Sequence, residues 1–173
     1  MRRLVMPLAV MALLLTAVAC SSRTDSANFK DNVQNALAQA DLKGVTVSED
    51  ADKNTITLGG KLHSEDAKQQ AGQVALSAAG NRIIANQISV EPVGNESDAR
   101  KIESNVDDAI EKNYKAAIIS KGLDKQDIRF DSKNGVLTLK GKVKSMEQRQ
   151  LAEQVASSVP EVGQVVNEIE VKR

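Results

Sequence analysis

Residues 56–90 and 137–171 superpose at a constant offset of 81 positions without a gap, and 14 of the 35 pairs are identical. The identities include Thr57/Thr138, Leu58/Leu139, Gly60/Gly141, Lys61/Lys142, Ala71/Ala152, Val74/Val155, Ala75/Ala156, Asn86/Asn167, Ile88/Ile169 and Val90/Val171. Agreement at polar and apolar positions alike marks a duplicated unit, so one copy's fold constrains the other's.

Each copy carries the same local signals. Leu137, Leu139, Gly141 and Val143 fall on one face of a strand and Thr138, Lys140, Lys142 and Lys144 on the other, a half-buried strand with its lysines in water. Ile128 and Phe130 alternate in the strand before it, and Asn134-Gly135 is a strong hairpin signal. In the first copy Val45 and Val47 precede a turn over residues 48–55. Ser145 can cap a following helix, with Gln148 at capping-box spacing, and Ser64 followed by Glu65 and Asp66 does the same in the first copy. Those helices carry stripes of small residues, Ala71, Val74, Ala75 and Ala78 matched by Ala152, Val155, Ala156 and Val159. Small side chains let a helix lie close on a sheet, and Gly60 and Gly141 in the strand beneath are expected to serve that approach. Third strands follow at 82–90 and 163–171. A helix leads each copy, striped by Phe29, Val33, Leu37 and Ala40 in the first and by Ile102, Val106, Ile110, Ala117 and Ile118 in the second. The order predicts an α+β chain of two tandem two-layer modules, each helix-strand-strand-helix-strand with two helices on a three-stranded mixed sheet. The modules are expected at 28–93 and 98–173, joined by a linker at 94–97.

Ahead of the modules, Met1, Arg2 and Arg3 precede an apolar run from Leu4 to Ala19, broken only by Pro7 and Thr16. This is the form of a secretory signal peptide, here residues 1–19, and it is short of the roughly 20 apolar residues a spanning helix needs. The end of the run, "LTAVAC" followed by Ser21 and Ser22, resembles a bacterial lipoprotein signal, with Ala17 standing where leucine is usual. That resemblance implies acylation of Cys20, palmitate included, with residues 20–27 as a lipidated tether. The other reading is an ordinary cleaved signal that leaves a free thiol open to unwanted pairing in an oxidising compartment. Ser21 in place of aspartate resembles the outer-membrane sorting state of Gram-negative lipoproteins, which implies an exported protein anchored at the outer membrane and facing the periplasm.

Composition removes several function classes. Setting aside Arg2 and Arg3 leaves 23 − 2 = 21 basic residues against 23 acidic ones, so no strong field attracts nucleic acid. Two Phe, one Tyr and no Trp offer no platform for stacking bases. His63 is the only histidine and has no second histidine or free cysteine to share a metal with. No serine sits in a strand-to-helix elbow, and an acylated Cys20 cannot act as a nucleophile. Asp50, Asp52 and Asn54 alternate like a calcium loop, but Thr55 and Lys61 occupy the positions where glycine and a bidentate glutamate would be needed. No enzyme activity, metal or cofactor is expected. One contact surface suggests itself: Lys112, Lys115 and Ile119 fall on one flank of the core stripe of the second leading helix, with Tyr114 on the other side. Two lysines and an isoleucine could touch lipid headgroups and the upper acyl region. Against this, Asp108 with Lys112 and Glu111 with Lys115 are ordinary i,i+4 pairs of a solvated helix.

Taken together, "NGVLTLKGKVKS", a helix striped with Ala and Val, and "VPEVGQVVNEIEV" resemble the BON domain, a small bacterial α+β module of osmotically induced and envelope proteins. The second copy matches more closely. The first keeps Gly60 and Asn86 but has "GNRIIANQI" where the family favours a Gly-Val pair. With its signal, the chain is similar to dual-BON periplasmic or outer-membrane lipoproteins. The resemblance implies no catalysis; only structural positions carry over, Gly60, Gly141, Asn86 and Asn167. It implies binding to phospholipid surfaces, anionic ones among them, or to envelope proteins, in support of envelope integrity under osmotic stress. Two readings stand open. The modules themselves bind phospholipid, or they form a scaffold that docks an outer-membrane or peptidoglycan-associated protein while only the acyl chains touch lipid. Near-neutral charge favours the scaffold, because peripheral lipid binding leans on clustered Lys and Arg. If lipid is bound, the second module is the better candidate, with 14 basic and 13 acidic residues over 97–173 against 6 and 8 over 29–93.

Overall fold

A computed structural model describes residues 28–172. The signal-peptide and tether readings and Cys20 lie outside the described residues.

Asn28 accepts a hydrogen bond from the Asp31 N–H and starts helix α1 (Phe29–Gln39), which buries Val33 and Leu37 one turn apart. Strands β1 (Val45–Asp50) and β2 (Thr55–Leu62) follow, then α2 (Glu65–Ala78) and two short strands, β3 (Ile83–Asn86) and β4 (Ser89–Val90). The second half runs α3 (Glu96–Ser120), β5 (Asp127–Lys133), β6 (Val136–Val143), α4 (Met146–Ser157) and β7 (Gln164–Val171). The chain is thus α+β, with four helices and two mixed sheets.

In the first sheet β2 lies antiparallel to β1 and parallel to β3 and β4. In the second, β6 lies antiparallel to β5 and parallel to β7. Register is shared: Leu58 opposes Asn86 and Leu139 opposes Asn167. Helix α2 begins on the Ser64 hydroxyl, which accepts from the Ala67 N–H at 3.2 Å. Ser145 accepts from the Gln148 N–H at 3.3 Å, while the Gln148 side chain accepts from the Lys144 N–H at 2.9 Å, a reciprocal cap displaced by one residue. Each module has its own core. Ile56, Leu58, Ala71, Ala75 and Ile88 join Val33 and Leu37 in the first, and Ile110, Tyr114, Leu137, Leu139, Ala152, Ala156 and Ile169 fill the second.

The β5–β6 hairpin has two residues in its loop, Asn134 at φ 51° and Gly135 at φ 79°. Two successive positive φ values turn the chain in the sense that matches strand twist, which is why Asn-Gly stands there. Gly60 and Gly141 also have positive φ, at 91° and 110°, but their role differs from the expected one. A Cβ on Gly60 would lie 2.2 Å from the Gly44 carbonyl oxygen, and one on Gly141 only 1.9 Å from that of Asp127. These glycines therefore admit the neighbouring strand, not the helix. Close helix approach occurs at Gly72 instead, whose Cβ would meet Asn86 Nδ2 at 2.9 Å.

Two burial patterns depart from the sequence reading. Ile102, assigned to the core stripe of the leading helix, is 63% exposed. At the offset of 81, Phe29 at the start of α1 corresponds to Ile110, so the first 110 − 96 = 14 residues of α3 have no counterpart in α1, and of their apolar side chains Val106 reaches the second core while Ile102 does not. Thr138, expected to face water, is buried, as is Val136 beside it, because Val136 packs with Val166 and Ala85 of the first module. The open faces of the two sheets meet there.

Candidate functional site

Helix α3 offers two surfaces with different occupations. Its outward face carries the three residues singled out as a contact surface, and Lys112, Lys115 and Ile119 are all exposed, Ile119 at 54%. Their i, i+3, i+7 spacing puts them on one stripe. Tyr114 is not a second flank. It is fully buried, its hydroxyl donates to the Ala152 carbonyl at 3.3 Å, and its ring meets Phe130 edge-on at 5.0 Å. Burial raises its pKa far above the ordinary tyrosine value. The lysines are not engaged in the expected i,i+4 pairs: among the described residues neither forms an ion pair, and Glu111 instead accepts from the Ser132 N–H at 2.9 Å.

The inward face of α3 forms a surface that the sequence reading missed. Glu103, Asp107 and Glu111, four residues apart, make a row of carboxylates along one side. Glu103 accepts from the Ser89 hydroxyl at 2.6 Å and the Val90 N–H at 2.8 Å, both in the first module. Asp107 takes three hydrogen bonds from the second module's hairpin: the Ser132 hydroxyl at 2.8 Å, the Asn134 N–H at 2.7 Å and the Gly135 N–H at 3.0 Å. One helix thus holds both modules through charge-assisted bonds to their main chain. Glu91, only 4% exposed, joins in by facing Lys61 at 3.4 Å and Arg100 at 3.3 Å.

The hairpin tip completes the junction. Asn134 Nδ2 donates to the Gln87 carbonyl at 2.8 Å, and Lys68 Nζ donates to the Asn134 carbonyl at 3.0 Å. On the other side of the seam the Gln164 side chain lies against the outer edge of β3, accepting from the Asn86 N–H at 3.1 Å and donating to the Ile84 carbonyl. A primary amide offers an acceptor and a donor side by side, as a neighbouring strand would, so it satisfies an edge that would otherwise be open. Lys53 of the first module pairs with Glu170 of the second, which also faces Lys142 at 3.3 Å. The Lys53 hydrogen bond, more than Lys142, holds the Glu170 carboxyl below its usual range. Two sequence signals for this junction existed: acids at i, i+4 and i+8, and a helix whose first 14 residues find no partner in the repeat. Gln164 gave none.

The two asparagines carried over as structural positions sit differently. Asn167 Nδ2 reaches the Arg149 carbonyl at 3.3 Å and Glu153 at 2.8 Å, and its Oδ1 accepts from the Ile169 N–H at 3.1 Å. Asn86 Nδ2 donates to the Lys68 carbonyl at 2.8 Å, but its Oδ1 is buried without a partner. His63 is exposed and donates from Nδ1 to the Glu91 carbonyl at 2.9 Å. In the calcium-like turn, Asp50 accepts from the Lys53 N–H at 3.0 Å and Asn54 Oδ1 from Arg82 at 2.8 Å, so those side chains shape the turn. Among the described residues no three His, Cys, Asp or Glu side chains are grouped to hold a metal, and no helix is long and apolar enough to cross a membrane.

Two-layer modules joined by a polar junction define a tandem α+β protein. The chain belongs to the BON domain family: the family's model matches residues 25–92 and again residues 95–173. No curated protein sequence matches the chain. Among solved structures it is similar to the C-terminal domain of CdsD, the structural protein of the type III secretion system of Chlamydia trachomatis. That likeness covers 86% of this chain and 67% of the other at 14% identity, with a TM-score of 0.32.

Proposed function

We propose that this is a non-enzymatic envelope protein, exported by residues 1–19 and anchored through acylated Cys20 at the outer membrane, whose second module touches phospholipid surfaces. The observation that carries the reading is the outward stripe of α3. Two lysines without ionic partners stand beside an isoleucine 54% exposed, while the sides of the same helix that carry Ile110, Tyr114 and Ile118 and that carry Glu103 and Asp107 are occupied by the core and the junction. Family membership supports it, since BON proteins are associated with phospholipid and with envelope integrity under osmotic stress. The lysines meet anionic headgroups and Ile119 enters the acyl boundary, a weak contact that gains from the high local concentration an anchor supplies.

Flotation of the unacylated mature chain, Ser21 to Arg173, with anionic and zwitterionic vesicles tests this. Binding to anionic vesicles is expected to weaken with salt and to be lost in the triple variant K112Q/K115Q/I119S. Binding that survives the triple variant would move the contact elsewhere, and no binding to either vesicle would leave lipid contact to the acyl chains alone.

A second reading, a scaffold docking an outer-membrane or peptidoglycan-associated protein, is favoured by a different patch. Ile102 at 63% exposure and Val93 at 76% are apolar residues at the junction, away from the lysine stripe. Ile102 borders a cleft of about 210 Å³ with Val90 and Val106, where the one lysine of the lining, Lys68, is bonded to the Asn134 carbonyl and is outnumbered by Glu65 and Glu103, a poor match to anionic headgroups. In-cell crosslinking from position 102 would capture such a partner, and I102S would abolish the capture.

A further inference from the structure

Asn134-Gly135 is the one Asn-Gly pair in the sequence, and it stands at the hairpin tip between the modules. In a free peptide this dipeptide is the one most prone to lose its side-chain amide, because glycine presents no side chain to obstruct attack by its own nitrogen. The Gly135 nitrogen would lose its proton and bond to Asn134 Cγ, and the amide nitrogen would take up that proton and leave as ammonia. Water then adds to one carbonyl of the resulting succinimide ring. Opening at Cγ gives aspartate, and opening at the backbone carbonyl gives isoaspartate, with the chain rerouted through the side chain.

In the closed protein each group this reaction needs is held. The Gly135 N–H donates to Asp107 Oδ1 at 3.0 Å, so the attacking nitrogen is in use and faces a carboxylate that opposes its deprotonation. The Asn134 N–H is fixed to Asp107 Oδ2 at 2.7 Å and the side-chain amide to the Gln87 carbonyl at 2.8 Å, while the Asn134 carbonyl accepts from Lys68 at 3.0 Å. Gln87 and Lys68 belong to the first module. Part of the protection therefore exists only while the modules are together.

We propose that Asn134 is a deamidation site gated by the junction, and that its conversion prevents the junction from closing again. Aspartate at this position would set a carboxylate against the Gln87 carbonyl, where a donor stood, and beside the Asp107 carboxylate. Isoaspartate would also lengthen the backbone of a two-residue turn that has no room for it. One opening that lasts long enough for the ring to form is thereby recorded in covalent structure. This does not rest on the lipid reading.

The test incubates the unacylated mature chain at mildly alkaline pH and follows Asn134 by peptide mass spectrometry, beside a synthetic peptide of residues 131–138 and the variants D107N and K68M. Loss of the amide in the wild-type chain is expected to be slower than in the peptide by about tenfold or more, because only the opened fraction reacts. Both variants should fall in between. K68M alters one surface contact of the first module, so it carries the test should D107N fail to fold. The variant N134D should exchange backbone hydrogens faster across residues 87–90 than wild type, with helix α4 unchanged. Deamidation in the wild-type chain as fast as in the peptide would overturn the proposal. So would K68M as slow as wild type, since weakening the first module's hold on the turn would then leave the protection unchanged. Wild-type exchange at 87–90 in N134D would overturn the claim that the junction stays open.

Discussion

The first module closes its sheet with an interrupted strand and opens on a helix of 11 residues; the second has an unbroken third strand of 8 residues and a helix of 25. The interruption does not shift register, because Leu58 opposes Asn86 before it and Lys61 opposes Ser89 after it. It falls where the Gln87 carbonyl accepts from Asn134, just ahead of β4, whose Val90 N–H reaches Glu103. Likewise, the added turns of α3 are the ones that reach both modules. The duplicates therefore agree in their cores and differ where they meet. Divergence after duplication has gone into the seam, and both modules bear a cost there, the unpartnered Asn86 Oδ1 in the first and the unpartnered Thr138 Oγ1 in the second.

The largest test of this symmetry is in the glycines. G141A and G60A should each destabilise by about 3 kcal/mol or more, from an unfavourable φ combined with a backbone clash. Thermal melts of the two variants should be alike, because both cores need the same strand crossing. D107A should come next. Losing a carboxylate that takes three hydrogen bonds costs about 2 to 3 kcal/mol, and faster hydrogen exchange in both modules would show that the seam couples them. If only the hairpin responds, the coupling is weaker than the geometry indicates. Asn167 and Asn86 then separate the modules: N167A should cost about 2 kcal/mol and N86A about 1 kcal/mol, since the second leaves fewer bonds to lose.

Q164A should lower stability by no more than about 1 kcal/mol while baring the outer edge of β3. Sedimentation at rising concentration should reveal association in this variant and none in wild type. The smallest effect is ionic. Glu170 has a lowered pKa in the folded chain, so its contribution is complete above the ordinary glutamate range and is lost as pH falls through the lowered value. In K53A its titration, followed by NMR, should move up toward the ordinary value, with Lys142 retaining part of the shift.

Much of each module was legible in sequence because the signals are local. Alternation in β6, the Asn-Gly turn and the serine caps at 64 and 145 report backbone conformation within a few residues of themselves. Ile102 and Thr138 were misplaced for a common reason. Periodicity says that a face is apolar or polar, but not which body covers it, and Val136, two residues before Thr138 on the same face of β6, packs with Ala85 some 50 positions away. The exposed stripe of Lys112, Lys115 and Ile119 was readable as a stripe, whereas the use of Glu111 was not, because its partner Ser132 lies in the following hairpin.

The shared register has a consequence for how this chain can go wrong. A strand like β7, eight residues long and in the same alignment to its neighbour as β3 and β4 are to theirs, presents the right side-chain sequence to sit in the first sheet, in its own molecule or another. Tandem repeats this alike are prone to exchange strands as they fold. The pairing itself cannot discriminate against such a swap. What can are the contacts that only the correct arrangement makes: Glu103 on Val90, Asn134 on Gln87 and Gln164 on the β3 edge. The seam tells the two copies apart.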